Sequence, residues 1–151
     1  MMPSKKISVV ADMGAGFAIE TDIRGHQLVI DQPKAGGGTD RGPSPLEYFL
    51  FSLAGCVASI GRIAASQQKL NLRNMRVTVE GDLNPDGLLG KQTDDRVGFQ
   101  NIEIIAEIDA DLSDEEKQAF LDDICARCPL HDNIHYETRV KHELSATGCF
   151  V

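Results

Sequence analysis

Residues 42–69 (GPSPLEYFLFSLAGCVASIGRIAASQQK) constrain the fold more than any other stretch of this chain. The first half of the stretch is apolar on nearly every side, and a soluble helix of that kind must be enclosed by other elements. Ser44 is predicted to be its N-cap, Pro45 its first residue and Glu47 the third position of a capping box. A membrane span would need a similar length, but Glu47 and Arg62 interrupt or border the apolar run. We therefore predict a long, buried helix in a soluble protein.

Length and charge narrow the class of protein. A chain of 151 residues with 25% charged and 42% hydrophobic residues is predicted to form one domain over residues 1–151. The net charge of −8 argues against nucleic acid and anionic membranes as partners, since both require an excess of Lys and Arg. The first residues contain no apolar run typical of a signal peptide, so we expect a cytoplasmic protein.

The order of the predicted elements indicates the α+β class. Three short β-rich runs form an antiparallel meander, and a flexible Gly-rich connection leads into the long helix. Two alternating strands, a second helix with a Ser113/Glu116 capping box, a short helical turn after Pro129 and a last strand follow. We expect a mostly antiparallel sheet wrapped around the long central helix. The predicted bounds are residues 5–13, 17–24 and 28–31 (strands), 33–43 (connection), 45–68 (helix), 75–83 and 99–110 (strands), 113–126 (helix), 129–134 (turn) and 136–144 (strand).

Four cysteines in a cytoplasmic chain are expected to be free, catalytic or metal-binding rather than a disulfide framework. Cys128 directly precedes Pro129, where one helix ends and a new turn begins. The free N–H groups and positive dipole end of such a turn favour a thiolate, and Arg127 is adjacent. Local sequence leaves open whether Cys128 is reactive or only a buried cap.

Cys125 and Cys128 form a C-x-x-C pair, which is weak evidence alone because the strand–helix context of a redox motif is missing. Zinc would need two further ligands, for which Cys56, His131, His135 or Cys149 could be proposed, without the spacing of an ordinary zinc finger. Cys125 itself follows Phe120, Leu121 and Ile124, so we expect it in the core.

The runs GPSPLEYFLFSLAGCVASI and ARCPLHDNI together resemble the OsmC/Ohr family of osmotically induced and organic-hydroperoxide-resistance proteins. Ser44-Pro45, Gly55-Cys56 and Cys128-Pro129 match the family pattern in order and spacing. The resemblance implies an intertwined α+β homodimer and a thiol peroxidase without metal or cofactor. It also implies that Cys56 attacks the peroxide and that Cys128 resolves the product as a disulfide.

The chain departs from the hydroperoxide-resistance branch at the residues that activate the thiolate. That branch has an acidic residue ten positions before the reactive cysteine, where this chain has Leu46, with Glu47 at nine positions. Its activating N-terminal arginine has no match in the first twenty residues, so Arg24 and Arg41 are the nearest candidates, with Arg62 a further one. Glu47 is a candidate partner besides its capping role.

The implied substrate is a hydrophobic organic hydroperoxide, since Phe49, Phe51 and Leu53 precede Cys56 on the apolar helix. Sulfenic acid at Cys56 would condense with Cys128, and an external dithiol would restore both thiols. The alternative is an OsmC-like protein that binds a small molecule without peroxidase activity, its cysteines being incidental. Retention of both cysteines favours the enzyme, and the missing Arg and Glu favour the binding protein.

Overall fold

A computed structural model describes residues 2–145 as an α+β chain with antiparallel sheets and one long helix, which confirms the predicted class. The strands are β1 (Asp12–Met13), β2 (Ile19–Ile23), β3 (His26–Ile30), β4 (Asn74–Asp82) and β5 (Asn101–Asp109). The helices are α1 (Pro45–Gln67), α2 (Asp114–Arg127) and α3 (Pro129–His135).

The first three strands form the predicted meander. Strand β2 pairs antiparallel with both neighbours, with Met13 opposite Ile19 and Ile19 opposite Ile30. Strands β4 and β5 form a separate two-stranded sheet, and their alternating exposure has the period of two that the sequence showed. The predicted pairing of these two strands is confirmed.

The predictions of the first and the last strand are wrong, the first over most of its length and the last over all of it. The first extends only over Asp12–Met13, and residues 136–144 contain no strand. Both segments carry alternating apolar residues, yet Ile7 is 76% exposed and Val140 80% exposed. A β-prone pattern needs a neighbouring strand for its ladder of hydrogen bonds, and the described part of the chain offers none to these segments.

The connection before α1 was expected to be flexible, and this expectation is wrong because a buried carboxylate organises it. Asp31 is fully buried, and it accepts hydrogen bonds from the backbone N–H of Gln32 at 2.7 Å and of Arg41 at 3.1 Å. The Thr39 hydroxyl donates to it at 2.6 Å. A Cβ on Gly38 would lie 2.0 Å from the Gln32 carbonyl oxygen, so a glycine is needed there for the loop to close.

Contacts within the chain define two compact units. One contains the described residues up to Ala54 together with Thr78–Ile105, and the other contains Gly55–Val77 with the described residues from Ala106 onward. Helix α1 therefore contributes its N-terminal turns to the first unit and Cys56 to the second. The prediction of one domain stays a prediction.

Helix α1 packs closely in the second unit through Gly61. A Cβ there would lie 2.9 Å from the Met75 sulfur and 3.3 Å from Cδ1 of Ile124. Val57, Ala64 and Ile124 are fully buried. These contacts hold α1 against α2 and so set the position of Cys56 relative to the end of α2.

Among the described residues, α1 is the one helix that is long and apolar enough to cross a membrane, judged by length and composition alone. A single such helix is weak evidence, since core helices pass the same test. Only 28% of its most apolar window is buried, and Phe51 is 71% exposed. The described residues of one chain thus do not enclose the helix as the sequence led us to expect.

Candidate active site

Cys56 and Cys128 meet in the second unit. Cys56 lies in the middle of α1, and Cys128 lies between α2 and α3. The sulfurs of Cys56 and Cys128 lie 3.0 Å apart, within hydrogen-bonding distance of each other. Both thiols are free, and a small movement would bring the sulfurs to disulfide distance.

Pro129 explains why the chain bends at Cys128. A residue before proline is disfavoured in the helical conformation, and Cys128 is extended, with φ −81° and ψ 116°. It therefore ends α2 and caps α3: its N–H donates to the Cys125 carbonyl at 3.3 Å, and its carbonyl accepts from the Asp132 N–H at 3.0 Å. The predicted helix start at Pro129 is confirmed.

The first turn of α3 directs backbone N–H groups at both sulfurs. The His131 N–H donates to Cys128 Sγ at 3.5 Å, and the Leu130 N–H bonds Cys56. Cys128 is 1% exposed, so the His131 N–H acts where water is largely excluded, whereas Cys56 is half-buried. Leu130 contacts Cys56 through its backbone, so its side chain gave no sign of this role, and Pro129 was the only sequence signal for it.

Opposing influences act on the reactivity of Cys56. Burial raises the pKa of its thiol, and so do the hydrogen bond and the charge of Cys128. The Leu130 N–H lowers the pKa because it stabilises the thiolate. The net effect is a raised pKa, so the reduced pair within one chain favours the neutral thiol at Cys56.

Three of the four charged candidates, Glu47, Arg41 and Arg24, lie in the first unit. Glu47 forms the predicted capping box: the Ser44 N–H donates to its carboxylate at 2.9 Å, and the Glu47 N–H donates to Ser44 Oγ at 3.3 Å. Hydrogen bonds to the carboxylate from the backbone and then from the side chain of Ser44 lower the pKa of Glu47. Arg41 pairs with Glu20 at 2.7 Å, and Arg24 adopts φ 55° in the turn after β2. Their action on Cys56 stays a prediction.

Arg62 shares the second unit with Cys56. Its guanidinium donates to the Leu72 carbonyl at 2.7 Å, which ties the end of α1 to the chain that leads into β4. This contact gives Arg62 a structural role.

Cys125 is not a core residue, in contrast to its buried neighbours Phe120 and Ile124. The residue is half-buried on the last turn of α2. Burial raises the pKa of its thiol, and the charges of Cys128 and Asp122 raise it further. The expectation that Cys125 lies in the core is wrong because α2 ends here and leaves this flank of the helix partly open.

The described residues contain no group of three or more His, Cys, Asp or Glu side chains arranged to hold a metal ion. His131 and His135 stack on each other with ring centroids 5.9 Å apart, one turn apart on α3. Cys149, named as a possible ligand from the sequence, lies outside the described residues.

Helical periodicity places Phe49 and Leu53 on the same face of α1 as Cys56. Leu53 is 1% exposed, and Phe49 stacks on Phe99 with ring centroids 5.9 Å apart. Phe51 lies on a different face and is largely exposed. The three apolar candidates for a substrate wall thus divide between two faces of the helix.

The structure is therefore that of an α+β protein with a paired-thiol site, in which a cysteine on a long helix lies beside a cysteine that precedes proline. The family model described as "OsmC-like protein" matches residues 37–143. The chain belongs to this family.

Relatives and solved structures agree with this assignment. The chain is 26% identical over 144 residues to the hydroperoxide reductase of Mycoplasma genitalium, covering 95% of this chain and 96% of the relative. A solved OsmC-like protein from Mycoplasma pneumoniae is similar at 24% identity and a TM-score of 0.76, over 88% of this chain and 89% of that one. An organic hydroperoxide resistance protein from Legionella pneumophila has 23% identity and a TM-score of 0.66, over 87% and 91% of the two chains.

Proposed function

We propose that this protein is a thiol peroxidase that reduces organic hydroperoxides, with Cys56 as the attacking thiolate and Cys128 as the resolving cysteine. The observation that carries the proposal is the separation of 3.0 Å between the two sulfurs. The names of the hydroperoxide reductase of Mycoplasma genitalium and of the Legionella pneumophila structure support a peroxide substrate. Its role would be antioxidant defence in the cytoplasm.

The proposed cycle has three balanced steps. The Cys56 thiolate attacks the O–O bond, and with one proton the hydroperoxide leaves as an alcohol and Cys56 becomes a sulfenic acid. The Cys128 thiol condenses with the sulfenic acid, which forms the Cys56–Cys128 disulfide and releases water. An external dithiol then reduces the disulfide by exchange and is itself oxidised.

The first step requires a thiolate, although the pKa of Cys56 is raised. The Leu130 N–H is one stabilising group, and a cation would add more. We propose Arg41 for this role, with Arg24 as the second candidate. Without such a cation, the rate of attack should increase with pH up to and through the raised pKa.

The proposal includes a homodimer. Phe51 and Phe49 on α1 are 71% and 42% exposed, and β-prone segments at both ends of the described chain have no partner strand. A second copy would supply cover of the same apolar character. The net charge of −8 disfavours nucleic acid and anionic lipid as the covering partner.

The raised pKa of Cys56 favours the second candidate function, a family member that binds a small molecule without reducing it. A neutral thiol reacts slowly with peroxide. In that case the cysteine pair would be a packed feature of an apolar site.

A thiol count separates the two functions. The chain has four cysteines, and one equivalent of cumene hydroperoxide is expected to remove two free thiols. Cys128→Ser should still consume one equivalent and stall as a sulfenic acid that dimedone traps on Cys56. Cys56→Ser should consume none. If no thiol is oxidised faster than free cysteine, the binding function replaces the peroxidase.

A further inference from the structure

Cys125 is the third thiol of the second unit, and the peroxidase cycle does not use it. It precedes Cys128 by three residues, and the Cys128 N–H donates to the Cys125 carbonyl at 3.3 Å. A hydrogen bond between residues three apart keeps their Cα atoms within about 7 Å. This separation is within the range that a disulfide spans.

Cys128 is thus within reach of two different thiols. Its sulfur lies 3.0 Å from Cys56, and Cys125 is one turn back along its own chain. Cys128 is 1% exposed, whereas Cys125 is half-buried at the end of α2. An external dithiol would therefore meet Cys125 more readily than Cys128.

We propose that Cys125 is a second resolving thiol that takes over the disulfide from Cys56. The Cys125 thiolate attacks the Cys128 sulfur of the Cys56–Cys128 disulfide, forms a Cys125–Cys128 disulfide and releases Cys56. This inference rests on the proposed peroxidase function, which generates the first disulfide.

The exchange is balanced without any added oxidant. One S–S bond breaks and another forms, so the number of oxidised sulfur atoms stays at two. The proton of Cys125 leaves to solvent, and the released Cys56 thiolate either takes up a proton or attacks the next hydroperoxide. The external dithiol finally reduces Cys125–Cys128 in place of Cys56–Cys128.

The electrostatics of the oxidised state favour this exchange. In the reduced protein burial raises the pKa of both Cys125 and Cys56, and the charge that Cys128 carries when its thiol is ionised raises both further. A sulfur in a disulfide carries no charge, so this contribution disappears once Cys128 is oxidised. Cys125 then ionises more readily when it must attack. Cys56 also ionises more readily after release, with the Leu130 N–H still able to stabilise it.

The exchange has a consequence for stoichiometry. Cys56 is free again while the oxidised pair awaits reduction, so it can reduce a second hydroperoxide before any dithiol arrives. Without reductant, the protein should consume two equivalents and finish with a Cys125–Cys128 disulfide and a Cys56 sulfenic acid. A protein that uses only Cys56 and Cys128 should stop after it has consumed one equivalent of hydroperoxide.

The test measures hydroperoxide consumed by full-length protein without reductant, in a Cys149→Ser background that leaves three thiols. This background protein should consume two equivalents of cumene hydroperoxide, and Cys125→Ser should consume one. Ala126→Ser, in the same helical turn, is the matched control and should consume two. Peptide mapping after one equivalent should find Cys125–Cys128 linked and Cys56 open to alkylation.

Two results would overturn the inference. A background protein that stops at one equivalent with a Cys56–Cys128 disulfide would exclude the exchange and leave the peroxidase function intact. Equal consumption by Cys125→Ser and Ala126→Ser would also exclude it. Failure of the peroxidase function itself looks different, because Cys128→Ser would then consume no hydroperoxide. If Cys125→Ser does not fold, peptide mapping of the background protein still shows whether Cys128 is linked to Cys125 or to Cys56.

Discussion

At the scale of single residues, the site depends on backbone donors as much as on side chains. The N–H groups of Leu130 and His131 donate to the two sulfurs, and both are free of partners within α3 because they lie in its first turn, which begins at Pro129. The side chain of residue 130 could therefore change without loss of the donor. A proline there would remove it.

Glu47 provides a test at this scale between a capping and a catalytic role. Because Gln also serves in a capping box, Glu47→Gln should cost under about 1 kcal/mol of unfolding free energy and leave peroxide turnover nearly intact. Urea unfolding and single-turnover kinetics measure the two effects. Ser44→Ala, which removes the cap itself, should cost about 0.5–2 kcal/mol. A fall in turnover by orders of magnitude with the fold preserved would make Glu47 a catalytic partner.

Asp31 should make the stability of the fold depend on pH in the acid range. Hydrogen bonds from the Thr39 hydroxyl and then the Arg41 N–H lower its pKa from the ordinary value of 3.8 to about 2. A carboxylate with a lowered pKa stabilises the fold above its unfolded pKa, and the stabilisation is lost as the pH falls through the folded one. The stability difference between wild type and Asp31→Asn should thus be constant above about pH 4 and narrow towards pH 2. Thermal unfolding across this range measures it; a difference unchanged at pH 2 would contradict the assignment.

At the scale of elements, the contact between α1 and α2 positions the cysteine pair. Gly61 allows α2 to approach, and Ile124 fills the space beside it. Cys128 follows one turn after Ile124, so the packing of Ile124 against α1 fixes the position of Cys128 and Pro129. The local sequence predicts each helix, but the approach of one to the other depends on which side chains meet.

Ile124→Ala tests this packing. The side chain is fully buried, so its loss should leave a cavity and cost about 2–5 kcal/mol of unfolding free energy. The rate at which Cys128 resolves a Cys56 sulfenic acid should also fall, since the end of α2 loses its support. Ile134→Ala on α3, where the side chain is 40% exposed, is the control and should cost much less. Equal losses in urea unfolding would mean that Ile124 does not anchor α2.

At the scale of the whole molecule, one chain leaves apolar surface that a soluble protein rarely exposes. Phe51, Phe49 and Leu46 on the first turns of α1 are 71%, 42% and 37% exposed. The β-prone segments before β1 and after α3 add further unpaired apolar residues. Cover from a second copy would explain all of these together.

Sedimentation tests the homodimer. Wild type at micromolar concentration should have twice the 16.4 kDa mass of the chain. Phe51→Glu, which places a charge on the exposed face of α1, should shift the protein to monomer, whereas Leu88→Glu in the loop between β4 and β5 should not. A monomeric wild type would exclude the dimer, and dissociation by Leu88→Glu alone would move the interface to that loop.

Features that depend on local chemistry and periodicity could be predicted from the amino-acid sequence alone. These are the long helix that begins at Pro45 after Ser44, the capping boxes at Ser44 and Ser113, the β4–β5 pair and the helix start after Cys128. Each follows from residues within a few positions of one another, such as proline, a capping side chain or an alternating apolar run. The OsmC-like family assignment likewise followed from short motifs around the two cysteines.

Features that depend on residues distant in sequence became visible only in the folded chain. The strand patterns of residues 5–11 and 136–144 were real, but no ladder forms without a neighbour. The loop expected to be flexible is ordered because Asp31 is buried in it, and burial is not visible in a local pattern. The distance of 3.0 Å between Cys56 and Cys128, and the raised pKa of Cys56, depend on how α1 meets the end of α2. Spacing along the chain does not specify that contact, because it is made by side chains far apart in sequence.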